Sequence, residues 1–355
     1  FTLVVNEVPS ITSANSTTFI VGQNGTFTVT ANGFPAAIFT GTVTPPNGVS
    51  FNATTGVFSG TPAVGTSGTY TFDLTPVNSV GNGVTQVFTL LVDQAPTFTT
   101  ANTTVFTVGT PGTFNVTAVG FPIVSLSESG TLPTGVSFTP NTGTFSGTPE
   151  TGTGGSYPVT ITATNGVSPD ATETFTLVVN EVPQITSVNT ATFTVGTSGT
   201  FTVTASGFPA AKFAEAGTLP SGLSFDTTTG VLSGTPLSGS DGSYSLQFTP
   251  MNAAGTGAPQ SFTLVVLQAP SITSVNATTF TQGSFGSFNV TANGFPAPTF
   301  AEGGALPTGV TFNDTTGLLS GTPDAGTAGT YTITITAMNG VDTDVTQTFT
   351  LTVAA

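Results

Sequence analysis

Apolar and polar residues alternate along this chain in short bursts separated by turn-forming stretches. In the segment from Ala269 to Ala355, Ser287-Phe288-Asn289-Val290-Thr291-Ala292 has the two-residue period of a half-buried strand. Tyr331-Thr332-Ile333-Thr334-Ile335-Thr336-Ala337 and Thr348-Phe349-Thr350-Leu351-Thr352-Val353 carry that period further. Shorter strands fit Ser271–Ser274, Thr278–Thr281, Thr299–Ala301, Val310–Phe312 and the run from Leu318. Gly294-Phe295-Pro296 breaks the pattern, and Asp314-Thr315-Thr316-Gly317 reads as a hairpin turn whose glycine supplies positive φ. About seven short strands, turn signals roughly every 8–12 residues and no helical period predict a β-sandwich.

The pattern also repeats on a longer scale. The Phe that opens F-T-L-V-V stands at Phe1, Phe88, Phe175, Phe262 and Phe349, in steps of 87 residues with no insertion. The chain therefore reads as four modules, 8–94, 95–181, 182–268 and 269–355, after a segment 1–7 with the sequence of a module's last strand. Each module is long enough to close its own core, and constant length suits reach or stacking rather than chemistry. The linkers alternate between Asn-Glu-Val-Pro (Asn6, Asn180) and Asp/Leu-Gln-Ala-Pro (Asp93, Leu267), so the true unit is a pair of modules.

All but one of the 30 phenylalanines occupy registers that are apolar in the other modules, and these are read as core positions. The exception, Phe285, aligns with Asn24, Pro111 and Ser198 and is a candidate contact residue. Tyr70, Tyr157, Tyr244 and Tyr331 share the start of the second-last strand, where an immunoglobulin-type sandwich uses a tyrosine hydroxyl to satisfy loop backbone.

The string Leu219-Pro220-Ser221-Gly222-Leu223-Ser224-Phe225, continued through Thr229-Gly230-Val231-Leu232-Ser233-Gly234-Thr235-Pro236 to Tyr244, resembles the immunoglobulin-like He-PIG repeats of prokaryotic surface proteins. All four modules share the resemblance. The first departs from it, with Val43-Thr44-Pro45-Pro46-Asn47-Gly48-Val49 in place of T-L-P-x-G-V. The resemblance implies an extracellular or cell-surface, cadherin-like sandwich in tandem on a bacterium or archaeon, with roles in structure and adhesion and no catalytic residues.

Composition removes whole classes of function. Charged residues make up 5% of the chain, against about 25% in ordinary soluble domains. Lys212 is the single cation, and with no Arg and a formal charge of −15 there is no basic patch to hold nucleic acid or an anionic membrane surface. The absence of cysteine removes disulfides and thiolate sites, and no apolar run reaches spanning length, so no membrane insertion is expected. A serine triad lacks its histidine. Glu128, Glu215 and Glu302 share one register, with Gly41 in the first module, but one repeated acid is not the convergent pair a glycosidase needs. They are expected as solvated strand ends, and the chain is not expected to be an enzyme. Neither a cofactor nor a full interdomain calcium site is expected, because the junction acids Glu7 and Glu181 alternate with Gln94 and Gln268. Leu132-Pro133-Thr134-Gly135 lacks the spacer of a sortase signal, and isopeptide cross-links would need a lysine in every module.

N-x-S/T sequons occur at Asn15, Asn24, Asn52, Asn102, Asn115, Asn276, Asn289 and Asn313, which makes these the candidate N-glycosylation sites. Asn15, Asn102, Asn189 and Asn276 share a register, and all but Asn189 are sequons.

Short linkers ending in proline favour a semi-rigid rod, with modules of roughly 40 Å at ~3.3 Å per strand residue. Two readings of Phe1–Asn6 stay open: the end of a preceding module, or a strand donated to another subunit. In either case Phe1, Leu3 and Val5 form an apolar face and are candidate intersubunit contacts with Phe285. With few charges, the sheet edges are expected to be poorly defended, so glycans or neighbouring chains must cover them. These features point to self-association in an extracellular filament or sheath, with an adhesin stalk as the alternative. A carbohydrate-binding module would need exposed aromatics, and nearly all lie in core registers.

Overall fold

The computed structural model describes residues 1–355, in strands, turns and irregular segments without a helix. It divides into two compact units, Phe1–Glu181 and Val182–Ala355, each holding two sandwiches. The division falls where the linker type begins its second cycle.

The first sandwich contains β1 (Ser16–Ile20), β2 (Gly25–Thr28), β3 (Ile38–Thr40), β4 (Val49–Asn52), β5 (Val57–Gly60), β6 (Gly68–Asn78), β7 (Gly81–Asn82) and β8 (Gln86–Phe98). One sheet has the order β1-β8-β6-β3 and the other β2-β5-β4. β1 runs parallel to β8, from Ser16 opposite Thr89 to Ile20 opposite Asp93, while β6 and β8 are antiparallel. The other three sandwiches repeat this plan.

The alternation seen in sequence becomes two faces. Along β8, Phe88, Leu90 and Val92 are buried. They meet Phe58, Phe72 and Leu74 from the neighbouring strands in one apolar cluster. Phe58 and Phe88 stack at 5.0 Å with their planes 9° apart, and in the second module Phe145 and Phe175 do the same at 4.7 Å and 14°. The third module has Leu232 in the Phe58 register and instead sets Phe248 against Phe262 at 5.2 Å, edge-on. Relative to the second module, where Phe145, Val159 and Ile161 fill these registers, Leu232, Leu246 and Phe248 move the ring to another strand and keep the core volume similar. Each fully buried side chain of this size contributes about 1.5–3 kcal/mol.

The G-F-P phenylalanines depart from the expectation that apolar registers are core. Phe34 is 54% exposed and its counterparts Phe121, Phe208 and Phe295 are only half-buried. They lie at the end of the sandwich beside the linker, where Phe121 pairs with Gln94 and Phe295 with Gln268, so only part of each ring meets apolar neighbours. Phe1 is also exposed. Residues 1–6 join no ladder, although the identical sequence F-T-L-V-V-N at Phe175–Asn180 forms strand, because that copy pairs with Gly155–Val159.

The L-P-x-G…S-G-T-P signature has a packing explanation. Gly135 has φ +88 and Gly147 φ +141. A Cβ on Gly147 would collide with the Gly135 carbonyl, and one on Gly135 with the carbonyl of Thr148. The closeness lets Thr148 N–H donate to Gly135 O at 2.9 Å. Gly48 of the divergent first module keeps the same conformation, with φ +90.

Candidate functional site at the junctions and sheet edges

Within each unit the linker is itself a strand. β8 runs through Asp93-Gln94-Ala95-Pro96 and then pairs antiparallel with Ala118–Phe121 of the second module. Gln260–Ile272 passes in the same way into the fourth module, pairing with Ala292–Phe295. One asparagine per module secures this region. Asn165 Nδ2 donates to Gln94 O at 2.8 Å and to Pro122 O at 2.9 Å, while its Oδ1 accepts Val167 N–H at 3.1 Å. Asn339 repeats the arrangement with Gln268 O and Pro296 O, both at 2.8 Å, and Asn78 with Glu7 O and Pro35 O, both at 2.8 Å. Asn252 donates to Pro209 O at 2.8 Å. Each proline acceptor ends a cis Phe-Pro bond.

These asparagines were not singled out by sequence reasoning. The available signal was their perfect register at the end of the second-last strand, combined with the lack of a sequon. The tyrosines act as expected: Tyr70, Tyr157, Tyr244 and Tyr331 donate to the carbonyls of Thr66, Thr153, Ser240 and Thr327 at 2.8–2.9 Å. Of the junction acids, Glu181 accepts Gly152 N–H at 2.7 Å and Gly154 N–H at 3.0 Å through its two carboxylate oxygens, so backbone amides occupy it.

The sheet edges correct two expectations. Glu128, Glu215 and Glu302 are not solvated strand ends. They lie on Ser125–Ser129, Lys212–Ala216 and Thr299–Gly303, each at one edge of its sheet, and face inward two residues after Leu126, Phe213 and Phe300. One carboxylate oxygen of each is buried without a hydrogen-bond partner. Burial pushes all three carboxyls above their ordinary range, and at Glu302 the nearby Asp314 adds to the effect. An inward-pointing charge on an edge strand resists pairing with another chain, because docking would strip its remaining water. These edges are thus defended, and the first module, with Gly41 in this register, has only the three-residue strand β3 there.

A second half-buried acid, Glu173, occupies the register of Gln86, Gln260 and Gln347. Gln260 and Gln347 donate Nε2 to Ser187 O at 3.2 Å and Ser274 O at 3.3 Å. Ionised Glu173 has no such donor, its Oε1 is unpartnered, and burial raises its pKa.

The sequon asparagines Asn15, Asn24, Asn52, Asn102, Asn115, Asn276, Asn289 and Asn313 are all exposed. Asn52 and Asn313 use Oδ1 to accept two turn amides each, and Asn115 accepts the Thr144 hydroxyl. Of the candidate contact residues, Phe285 is 74% exposed in the turn between Ala277–Thr281 and Gly286–Asn289, and Phe1, Leu3 and Val5 are exposed at the start of the chain. The structure brings none of these contact candidates into an apolar cluster.

Residues 2–93, 95–180, 182–267 and 269–354 each match the family model He_PIG, whose description is Putative Ig domain. Curated proteins gave no match. Among solved structures the chain is similar to titin domains I67–I69 in an E-to-A mutated variant, at 19% identity over 73% of this chain and 99% of that one, with a TM-score of 0.43. It is also similar to Sidekick-1 immunoglobulin domains 1–5, at 17% identity over 98% and 81% with a TM-score of 0.37. A third likeness is to the four N-terminal Ig domains of Dscam1 isoform 1.9, at 12% identity over 99% and 100% with a TM-score of 0.38. Matched in four consecutive copies that span nearly its whole length, the chain belongs to the He_PIG family of immunoglobulin-like domains.

Proposed function

We propose that this chain is a structural repeat protein of an extracellular filament, sheath or surface fibre on a bacterial or archaeal cell, with its modules joined head to tail. The observation that carries the reading is the unbroken strand from Gln86 to Phe98, clamped by Asn165, and its counterpart from Gln260 to Ile272, clamped by Asn339. A linker that is strand throughout and hydrogen-bonded on its far side holds module spacing, which is what a fibre needs and a flexible tether does not. Constant module length serves the same end. Self-association uses the exposed apolar side chains Phe1, Leu3, Val5 and Phe285, which are costly to leave in water. No catalytic, metal or cofactor role is assigned to any residue.

Negative-stain electron microscopy of the native material tests this. Long fibres with a repeat of roughly 40 Å are expected, from ~3.3 Å per strand residue. Short isolated particles at all concentrations would overturn the filament and leave the spacer stalk of a cell-surface adhesin.

A further inference from the structure

The eight sequons are not scattered over the surface. Asn15, Asn102 and Asn276 immediately precede Ser16–Ile20, Thr103–Thr107 and Ala277–Thr281, and Asn24 precedes Gly25–Thr28. Asn52, Asn115, Asn289 and Asn313 are the last residues of Val49–Asn52, Gly112–Asn115, Gly286–Asn289 and Val310–Asn313. All eight of these strands are sheet edges. None of the eight asparagines uses its Nδ2 in a hydrogen bond, whereas Asn78, Asn165, Asn252 and Asn339, whose Nδ2 donates to the clamp, all lack the sequon.

The third module sharpens the pattern. It has no sequon, with Asn189-Thr190-Ala191, Ser198, Thr202 and Asp226 in the corresponding registers. In the register of Asn52 and Asn313 it ends the edge strand Leu223–Asp226 in a carboxylate, whose Oδ1 accepts the Thr228 and Thr229 amides.

We propose that Asn15, Asn24, Asn52, Asn102, Asn115, Asn276, Asn289 and Asn313 carry N-linked oligosaccharides that shield the sheet edges they flank in modules one, two and four. In the modification Nδ2 forms a bond to the anomeric carbon of a lipid-(di)phosphate-linked oligosaccharide. The carbon–oxygen bond to the carrier breaks, the lipid (di)phosphate leaves with the electron pair, and the amide gives up one proton. A sugar at either end of an edge strand blocks the approach of a second chain to the unpaired backbone groups, leaving association to the apolar contacts. The inference holds for a stalk as well as for a fibre.

Mass spectrometry of native protein, cleaved after its phenylalanines because trypsin sites are nearly absent, reads the modification directly. Hexose-type mass increments on peptides of modules one, two and four, with bare peptides from module three, are the expected result. Unmodified Asn15, Asn102 and Asn276 would overturn it. The guarding role is read from the combined Asn15→Gln, Asn102→Gln and Asn276→Gln variant made in the native host, since these side chains form no hydrogen bond that the change removes. Its light scattering at matched concentration should rise several-fold while its melting temperature holds. Scattering equal to that of the parent would show that the sugars do not guard the edges.

Discussion

Asn165 donates from Nδ2 to the carbonyl oxygen of Gln94 across 2.8 Å, joining the end of one module's second-last strand to the linker that precedes the module. The same amide nitrogen reaches Pro122 O, so one side chain serves two backbone acceptors. Asn165→Asp keeps the shape and removes the donors. It is expected to cost about 1–2 kcal/mol, mostly the penalty of leaving the partly buried Gln94 acceptor unpaired, since the Pro122 acceptor is exposed to water. Urea unfolding of the variant should show a lower midpoint at unchanged slope, and an unchanged midpoint would mean the clamp is idle.

Stability should rise on mild acidification. Asp93, Glu128, Glu173, Glu215 and Glu302 all have carboxyls raised by burial. A carboxyl whose pKa is higher folded than unfolded binds more protons in the folded state, so folding is favoured as pH falls through the raised value. The gain is complete below the ordinary value, 4.5 for the glutamates and 3.8 for Asp93, and is lost as pH rises through the folded value. Asp226, lowered by the backbone amides of Thr228 and Thr229, opposes the trend from a fully exposed site. The urea midpoint should therefore be higher near pH 4.5 than at pH 7, and replacing Glu128, Glu215 and Glu302 by Gln should flatten the difference.

Glu173→Gln should stabilise the second module. The change restores the Nε2 donor that Gln260 and Gln347 aim at a backbone carbonyl and removes a half-buried charge. About 1 kcal/mol is expected from the hydrogen bond alone. In a domain of this size that is a rise of about 4–8 °C in melting temperature for the transition of that module.

How much of this was legible in the chain depended on whether the cause was local. The strands and the ring of buried Phe58, Phe88 and Phe72 follow from a period of two, which any short window displays. The tyrosine bond is also local, spanning four residues from Tyr157 to Thr153. The clamp was hidden because Asn165 meets partners 71 and 43 residues away, and nothing near Asn165 names them. Glu128 was misjudged for a different reason. Its place two residues after Leu126 marks it as inward, but its charge argued for solvent, and at a sheet edge the backbone alternation decides. Phe34 shows the converse, an apolar register serving the linker rather than the core.

Trypsin should cut the unfolded chain once. Within residues 1–355 Lys212 is the only cleavage site, so denatured protein is expected to be cut after Lys212 and nowhere else in this stretch. In the folded protein Lys212 is held in a ladder opposite Met251, and cleavage should be much slower. Rapid cutting under native conditions would show that this edge strand opens readily.

The parallel pairing of β1 with β8 has a mechanical consequence. β1 lies near the point where the chain enters the first module and β8 where it leaves, so tension along the polypeptide drags the two strands in opposite directions along their common axis. The five residue pairs from Ser16–Thr89 to Ile20–Asp93 are then loaded together rather than peeled apart one after another. Thr103–Thr107 on Thr176–Asn180, Thr190–Thr194 on Thr263–Leu267 and Ala277–Thr281 on Thr350–Ala354 repeat the geometry. Each of the four sandwiches therefore meets a pull along the chain with the same shear geometry.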